Sequence, residues 1–166
     1  MLTDLYPWIV FLHVAALLGF LLAHGASTAV AFRIRSERDP IRIAALLDLS
    51  AGMYGLSYAS LGLLVATGLG AAVVGGFWTR GWIWASIVAL IAMTVSMHLH
   101  PAASFSRIRK AAGLPYFEGW RPRDKLPPAP AEALVAAAAT NDPRITLAIG
   151  GGGMLVILWL MMFKPF

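Results

Sequence analysis

The sequence predicts an all-α fold, an antiparallel four-helix transmembrane bundle with both termini outside and basic loops in the cytoplasm. Three observations carry this prediction. Of the 166 residues, 59% are hydrophobic and 13% are charged, and the mean hydropathy is +0.74. So little charge cannot cover the surface of a soluble domain of this size. Four long apolar windows and an unequal division of Lys and Arg between the loops complete the argument.

The apolar windows predict four spans, at about residues 5–32, 50–76, 81–104 and 144–163. Each reaches the roughly 20 residues that a helix needs to cross a hydrocarbon core about 30 Å thick. Lipid offers no hydrogen bonds to the backbone, and the alternating pattern of barrel strands is absent, so each span is predicted to be a helix. We expect residues 1–166 to form one transmembrane domain with an inner surface loop at 105–142.

Two Asp-Pro pairs predict where helices begin. Asp39-Pro40 and Asp142-Pro143 each place an N-cap acid before a proline at the first helical position. The first pair is expected to open an amphipathic turn over 41–49 that leads into the second span. The alanine-rich stretch 131–140 predicts a short helix inside the inner loop.

The positions of Lys and Arg predict the orientation. Eleven of the 13 basic residues lie in the loop after the first span and in the loop after the third. Cytoplasmic loops carry this excess, so both termini are expected outside. The net charge of +5 then indicates topology and contact with anionic membrane lipids, and no nucleic-acid partner is expected.

Small residues predict the packing faces of two spans. Gly62, Ala66 and Gly70 recur every four residues on the second span, and the run 150–153 consists of glycine. Small residues allow close approach of helices in membranes, so both sets are expected to lie at helix–helix contacts.

Four histidines lie in or at the ends of the spans: His13, His24, His98 and His100. His13 and His24 are eleven residues apart, so their side chains project from one face of a helix and are separated by about 16.5 Å along it. His24 and His98 each lie about 12 Å above the inner end of their window. Intramembrane ionisable groups are costly, which makes all four histidines candidate functional residues.

Equal depth on two helices is what a haem with two axial imidazoles requires. The sequence therefore predicts a b-type haem with His24 and His98 as iron ligands, His13 as a second site and His100 as a peripheral candidate. The nearby basic residues that would neutralise the haem propionates are Arg33, Arg35, Arg107 and Arg109. The competing interpretation is polar packing, in which each histidine bonds a hydroxyl or carbonyl of a neighbouring helix.

The first span resembles the opening helix of a bacterial group of small polytopic membrane proteins. The residues that carry the resemblance are Trp8 to Val14, with Leu12-His13-Val14 at their end, and Gly19. The group includes the CopD membrane domain and HemJ-type protoporphyrinogen oxidases. The likeness is greatest to a related uncharacterised four-helix integral membrane protein family, through Ala23 to Ser27 and the stretch Arg33 to Pro40.

The resemblance implies a four-helix fold in the bacterial inner (plasma) membrane, a role for His13 and, by analogy, a haem. The Trp-x-Gly-Gly that follows the histidine in the CopD and HemJ groups is replaced here by Leu18-Gly19-Phe20. Protoporphyrinogen oxidase activity is therefore not expected.

Two function classes remain open at this level. One is a small membrane protein that binds b-type haem and serves electron transfer or haem-linked redox chemistry. The other is a cofactor-free structural or assembly subunit that packs on other membrane subunits or on further copies of itself. A transporter fits less well, because no span contains a carboxylate or a break.

Overall fold

The computed structural model describes residues 2–166 and the side chains of residues 4–166. Its α-helices are α1 (Leu2–Ser36), α2 (Pro40–Gly52), α3 (Tyr54–Val74), α4 (Gly81–Met97), α5 (Ala103–Ala111), α6 (Ala131–Ala139), α7 (Pro143–Leu147) and α8 (Gly153–Phe163). A π-helical turn, His98–Ala102, joins α4 to α5, and a second, Ala148–Gly152, joins α7 to α8. A 3₁₀ turn, Phe77–Thr79, precedes α4. An antiparallel hairpin pairs β1 (Tyr116–Glu118) with β2 (Arg121–Arg123).

Four continuous helical segments in residues 2–166 are long and apolar enough to cross a membrane. They are Asp4–Ser36, Pro40–Val74, Gly81–Ala111 and Pro143–Phe163, with mean hydropathies of 1.7 to 2.1 over their most apolar windows. The prediction of an all-α chain with four such helices is confirmed. The third helix continues to Ala111, beyond the predicted limit at residue 104, because charged side chains end a membrane crossing without ending a helix.

Both predicted Asp-Pro caps are confirmed. The Asp39 carboxylate accepts a hydrogen bond from the backbone N–H of Ile41, and the Asp142 carboxylate accepts one from that of Arg144. In each case the proline occupies the first turn, where its missing N–H costs nothing. These caps fix the starts of α2 and α7.

Helices α1 and α3 run antiparallel and pack closely along the contacts that we call the α1–α3 seam. A Cβ added at Gly19 would lie 2.6 Å from the Ser60 hydroxyl, and one added at Gly68 would lie 3.0 Å from the His13 ring. Ser60, Leu64 and Thr67 are the buried residues of α3 on this side.

The seam differs from the predicted stripe of Gly62, Ala66 and Gly70. Gly62 and Ala66 are exposed, and nothing lies within 4 Å of a Cβ added at Gly62. Gly70 alone of the three meets α1, with a Cβ position 3.7 Å from the Ile9 side chain. The four-residue spacing identified a face of small residues correctly, but spacing alone does not say which face meets another helix.

Helices α4 and α8 form the second close antiparallel pair. A Cβ added at Gly153 would lie 2.8 Å from the Met93 side chain, and the Trp82 backbone N–H donates to the Phe166 carbonyl over 3.2 Å. The predicted packing role of the glycine run 150–153 is confirmed at Gly150 and Gly153, which both lie against neighbouring side chains.

A separate apolar core lies at the end of the spans that carries most of the basic residues, which we call the basic end. Its buried members come from α1, α2, α5 and α6: Val30, Ala31, Ile34, Ile43, Leu47, Phe105, Ile108, Leu134 and Ala138. The sequence predicted 105–142 as a surface loop, but α6 packs into this core through Leu134 and Ala138. Fully buried Asn141 ties the segment to α1, since its amide donates to the Ala31 carbonyl over 3.2 Å.

Candidate histidine sites and the basic-end groove

His13 lies in the α1–α3 seam. Its Nδ1 lies 3.0 Å from the Leu64 carbonyl oxygen and 3.2 Å from Thr67 Oγ1. Since a carbonyl only accepts, Nδ1–H is the donor to the Leu64 carbonyl. The ring fits here because Gly68 has no side chain to fill the same space. His13 therefore fastens α1 to the backbone of α3.

His24 occupies a notch in the fourth span. Its Nε2 lies 3.3 Å from Thr28 Oγ1, one turn along α1, and its ring stacks on Phe20 with the ring planes 3° apart. A Cβ added at Gly150 would overlap the imidazole. Gly150 lies in the π-helical turn between α7 and α8, so that turn and its glycine together create the space for His24.

His98 and His100 lie in the π-helical turn of the third span, away from the α1–α3 seam. The His98 ring stacks face to face on the indole of Trp120, with ring centroids 3.3 Å apart. His98 is half-buried and His100 is exposed, and His100 Nδ1 lies 3.3 Å from the Ser96 carbonyl of its own helix.

The structure thus gives His24 and His98 different neighbours. His24 contacts Thr28, Phe20 and Gly150, whereas His98 contacts Trp120 of the hairpin. Coordination of iron by His24 Nε2 would have to replace the Thr28 contact inside a notch already filled by the ring. The contacts of the two rings do not test the haem, and the predicted pair stays a prediction.

A cavity lies next to His98, and we call it the basic-end groove. It has a volume of about 730 Å³ and lies between the second, third and fourth helical segments and the hairpin. Its lining includes Tyr58, His98, Leu99, Arg107, Lys110 and Ile145. This volume is within the range of small-molecule and cofactor sites.

The acidic side chains of the groove have ion-pair partners, whereas two of its basic side chains have none within residues 4–166. Its two acids already have basic partners, because Glu118 pairs with Arg123 at 2.7 Å and Asp142 with Arg35 at 3.4 Å. Arg107 has no ion-pair partner among the described residues. The nearest aromatic partner of Lys110 is Tyr116, whose ring centroid lies 5.4 Å from Nζ. The groove therefore presents two cations with no acid of their own.

The four arginines predicted to hold propionates lie in three different settings. Arg33 pairs with Glu37 at 3.3 Å, and Arg35 pairs with Asp142. Arg109 is buried, and its guanidinium donates to the Pro115 and Leu47 carbonyls over 2.6 and 3.0 Å. Arg107 is the only one of the four that lines the groove, and it has no ion pair among residues 4–166.

Glu37, between the first and second spans, is the polar link between α1 and α2. The backbone N–H groups of Arg38 and Asp39 donate to its carboxylate over 2.9 and 3.2 Å. These hydrogen bonds hold the pKa of Glu37 below its ordinary value of 4.5, and the charges of Arg33 and Arg42 act in the same direction. Hydrogen bonds to the ionised form are one of the standard causes of such a shift.

Sequence reasoning missed three participants of the groove. Trp120, Tyr58 and Lys110 come from the hairpin, α3 and α5, and only the fold brings them beside His98. A signal for the hairpin existed in Gly119, which adopts a φ of +61° in the turn between β1 and β2. Strands of three residues are too short to be recognised by alternation.

Comparison of the chain with protein-family models, with curated proteins and with solved structures found no match. The resemblance to the CopD and HemJ groups therefore stays a prediction from the first span.

Proposed function

We propose that the chain is a multi-pass protein of the bacterial inner membrane that acts as a structural or assembly subunit, with both termini outside and the basic end in the cytoplasm. The orientation is supported by the unequal division of Lys and Arg between the loops. The chain's four membrane-length apolar helices support the location in a membrane.

One observation carries the structural role: both histidines deep in the spans serve helix–helix contacts. His13 bonds the Leu64 carbonyl of α3, and His24 fills the notch at Gly150 of the fourth span. Packing therefore accounts for the strongest chemical signal in the sequence. A polar side chain that bonds across helices in place of lipid contributes about 1 kcal/mol to association.

The partners would be lipid acyl chains, other membrane subunits or further copies of this chain. Within the chain, 6% of the most apolar window of the first span and 22% of each of the other three windows are buried. Most residues of each window thus keep some surface that contacts outside the chain could cover. A homo-oligomer or a larger assembly would cover part of it.

A second candidate is a b-type haem in the basic-end groove, serving electron transfer. His98 lines the groove and would be its iron ligand, while Arg107 and Lys110 would pair with the propionates. In this candidate a bound haem supplies one-electron chemistry, and the chain's residues bind and orient it. His24 is not needed as a ligand.

An absorption spectrum of the detergent-purified protein separates the two candidates. The structural role predicts no Soret band after expression with haem precursor supplied, and an unchanged spectrum for His98→Ala. A Soret band with reducible α and β bands would contradict it. Loss of that band in His98→Ala, with retention in His100→Ala, would establish the groove site, whereas loss in His24→Ala would establish the originally predicted pair.

Reporter fusions test the orientation. Reporters that are active only in the cytoplasm are expected to be silent at either terminus and active when inserted in the loop 124–130. A C-terminal fusion that is active in the cytoplasm would reverse the assignment of the two sides.

A further inference from the structure

We propose that the basic-end groove binds the phosphate headgroup of an anionic phospholipid, with Arg107 and Lys110 as the phosphate partners. The site is independent of the structural role above, because neither cation belongs to the α1–α3 seam or to the notch at Gly150. It also does not depend on which side of the membrane the basic end faces.

The first argument is the charge of the groove. Its acids are paired with Arg123 and Arg35 at 2.7 and 3.4 Å, whereas Arg107 and Lys110 have no carboxylate partner among the described residues. Both cations lie on α5, three residues apart, and so project from neighbouring positions on one face of the helix. They can approach the same phosphate.

The second argument is the position of the groove along the spans. Its lining includes Tyr58, Leu99 and Ile145, which belong to three of the helices long enough to cross a membrane. All three side chains are exposed, at 70%, 61% and 42% of their surface. The groove therefore runs from charged residues at a helix end to apolar side chains on the spans.

This gradient matches a phospholipid better than it matches a free anion. The headgroup phosphate lies between the two cations, and the acyl chains run along Leu99 and Ile145. Basic pockets between transmembrane helices are a recognised way to bind anionic headgroups, with each cation near the surface contributing about 1 kcal/mol.

The hairpin forms one wall of the groove. Trp120 stacks on His98, so the hairpin is held against the third span at the end of the membrane-crossing segment. An indole at this level is typical of the membrane–water interface. The hairpin thus forms a wall beside the headgroup position, with Lys110 held near the ring of Tyr116.

The experiment compares two charge-matched double variants of the full chain in nanodiscs. R107Q/K110Q removes the two groove cations, and R121Q/K125Q removes two exposed basic residues that do not line the groove. Binding is measured by native mass spectrometry as retention of phosphatidylglycerol against phosphatidylcholine. We expect R107Q/K110Q to weaken phosphatidylglycerol binding about tenfold or more, and R121Q/K125Q to change it less than threefold.

Each alternative result overturns the proposal. An equal loss in both double variants would show a diffuse charge effect without a site, and no loss in either would show no electrostatic recognition. Competition by inorganic phosphate at millimolar concentration would identify a free anion in place of a lipid. A haem lost on His98→Ala would identify a different occupant.

A folding control accompanies the binding measurement. Because the exposed side chains of Arg107 and Lys110 lie outside the apolar cores, thermal unfolding of R107Q/K110Q is expected to match that of R121Q/K125Q.

Discussion

The histidines of this protein lie in two kinds of surroundings. His13 and His24 lie against Gly68 and Gly150 of neighbouring helices, where the missing Cβ of the glycine makes room for the ring. His98 and His100 lie at the edge of an open groove, next to a hairpin and two unpaired cations. One residue type therefore contacts neighbouring helices in the spans and lines a groove at their end. The surroundings of the four histidines differ because different residues face each ring. The depth of a histidine in the membrane and its spacing along the sequence do not determine which residues those are.

The two regions are also held together differently. The α1–α3 seam depends on small residues that allow close contact between helices, whereas the wall of the groove depends on one buried cation. Arg109 bonds the Pro115 carbonyl before the hairpin and the Leu47 carbonyl and Asp48 carboxylate of α2, the last at 3.3 Å. We therefore expect substitutions in the α1–α3 seam and in the wall of the groove to have different effects.

The largest effect is expected at Arg109. Arg109→Met removes the charged donor from the buried Leu47 carbonyl and from the part-buried contact with the Pro115 carbonyl, so we expect the free energy of unfolding to fall by about 3 kcal/mol. Unfolding in detergent, followed by circular dichroism, measures it. Arg107→Met is the matched control and is expected to change stability by less than about 0.5 kcal/mol. Equal effects at both positions would mean that Arg109 does not hold the groove wall in place.

A smaller effect is expected in the seam at Gly68. Gly68→Ala places a methyl group 3.0 Å from the His13 ring, and we expect a loss of about 1 kcal/mol after the gain in helix propensity is subtracted. Gly62→Ala, where nothing lies within 4 Å, is expected to be neutral or slightly stabilising. A larger cost at Gly62 than at Gly68 would restore the predicted Gly62, Ala66 and Gly70 stripe as the contact face.

The smallest effect concerns the link between α1 and α2. The lowered pKa of Glu37 means that its contribution to stability is fully present above the pKa of the unfolded chain, near 4.5, and is lost as the pH falls through the lower folded value. Thermal unfolding between pH 7 and pH 3 should therefore decline less in Glu37→Gln than in the unmodified protein. The exposed Glu132→Gln is the control, and an identical decline in Glu37→Gln would show that this carboxylate is not coupled to folding.

Local signals in the sequence predicted much of the fold. Hydropathy located the four long helices, and the Asp39-Pro40 and Asp142-Pro143 pairs located two helix starts, because each depends on residues close together in the chain. The packing of α6 was not predicted, since it depends on contacts between distant residues, and the hairpin was not predicted because its three-residue strands are too short to show alternation. The π-helical turns were not predicted either.

The candidate site was predictable only in part. The sequence identified the four histidines and Arg107, but not that a glycine of the fourth span would receive His24 or that Trp120 would stack on His98. Depth along two helices says nothing about rotation around them or about which helices are neighbours. The haem pair was inferred from depth alone, and it stays a prediction.

The contact between His24 and Gly150 is the most direct test of the claim that the deep histidines serve packing. In a double-mutant cycle, Gly150→Ala should lower the free energy of unfolding by about 2 kcal/mol in the unmodified protein, because the new Cβ overlaps the imidazole. In the His24→Ala background, the vacated space should accept the methyl group and the cost should fall close to zero. Gly152→Ala, with nothing within 4 Å of the new Cβ, should have little effect in either background. A cost of Gly150→Ala that is the same with and without His24 would contradict the packing role.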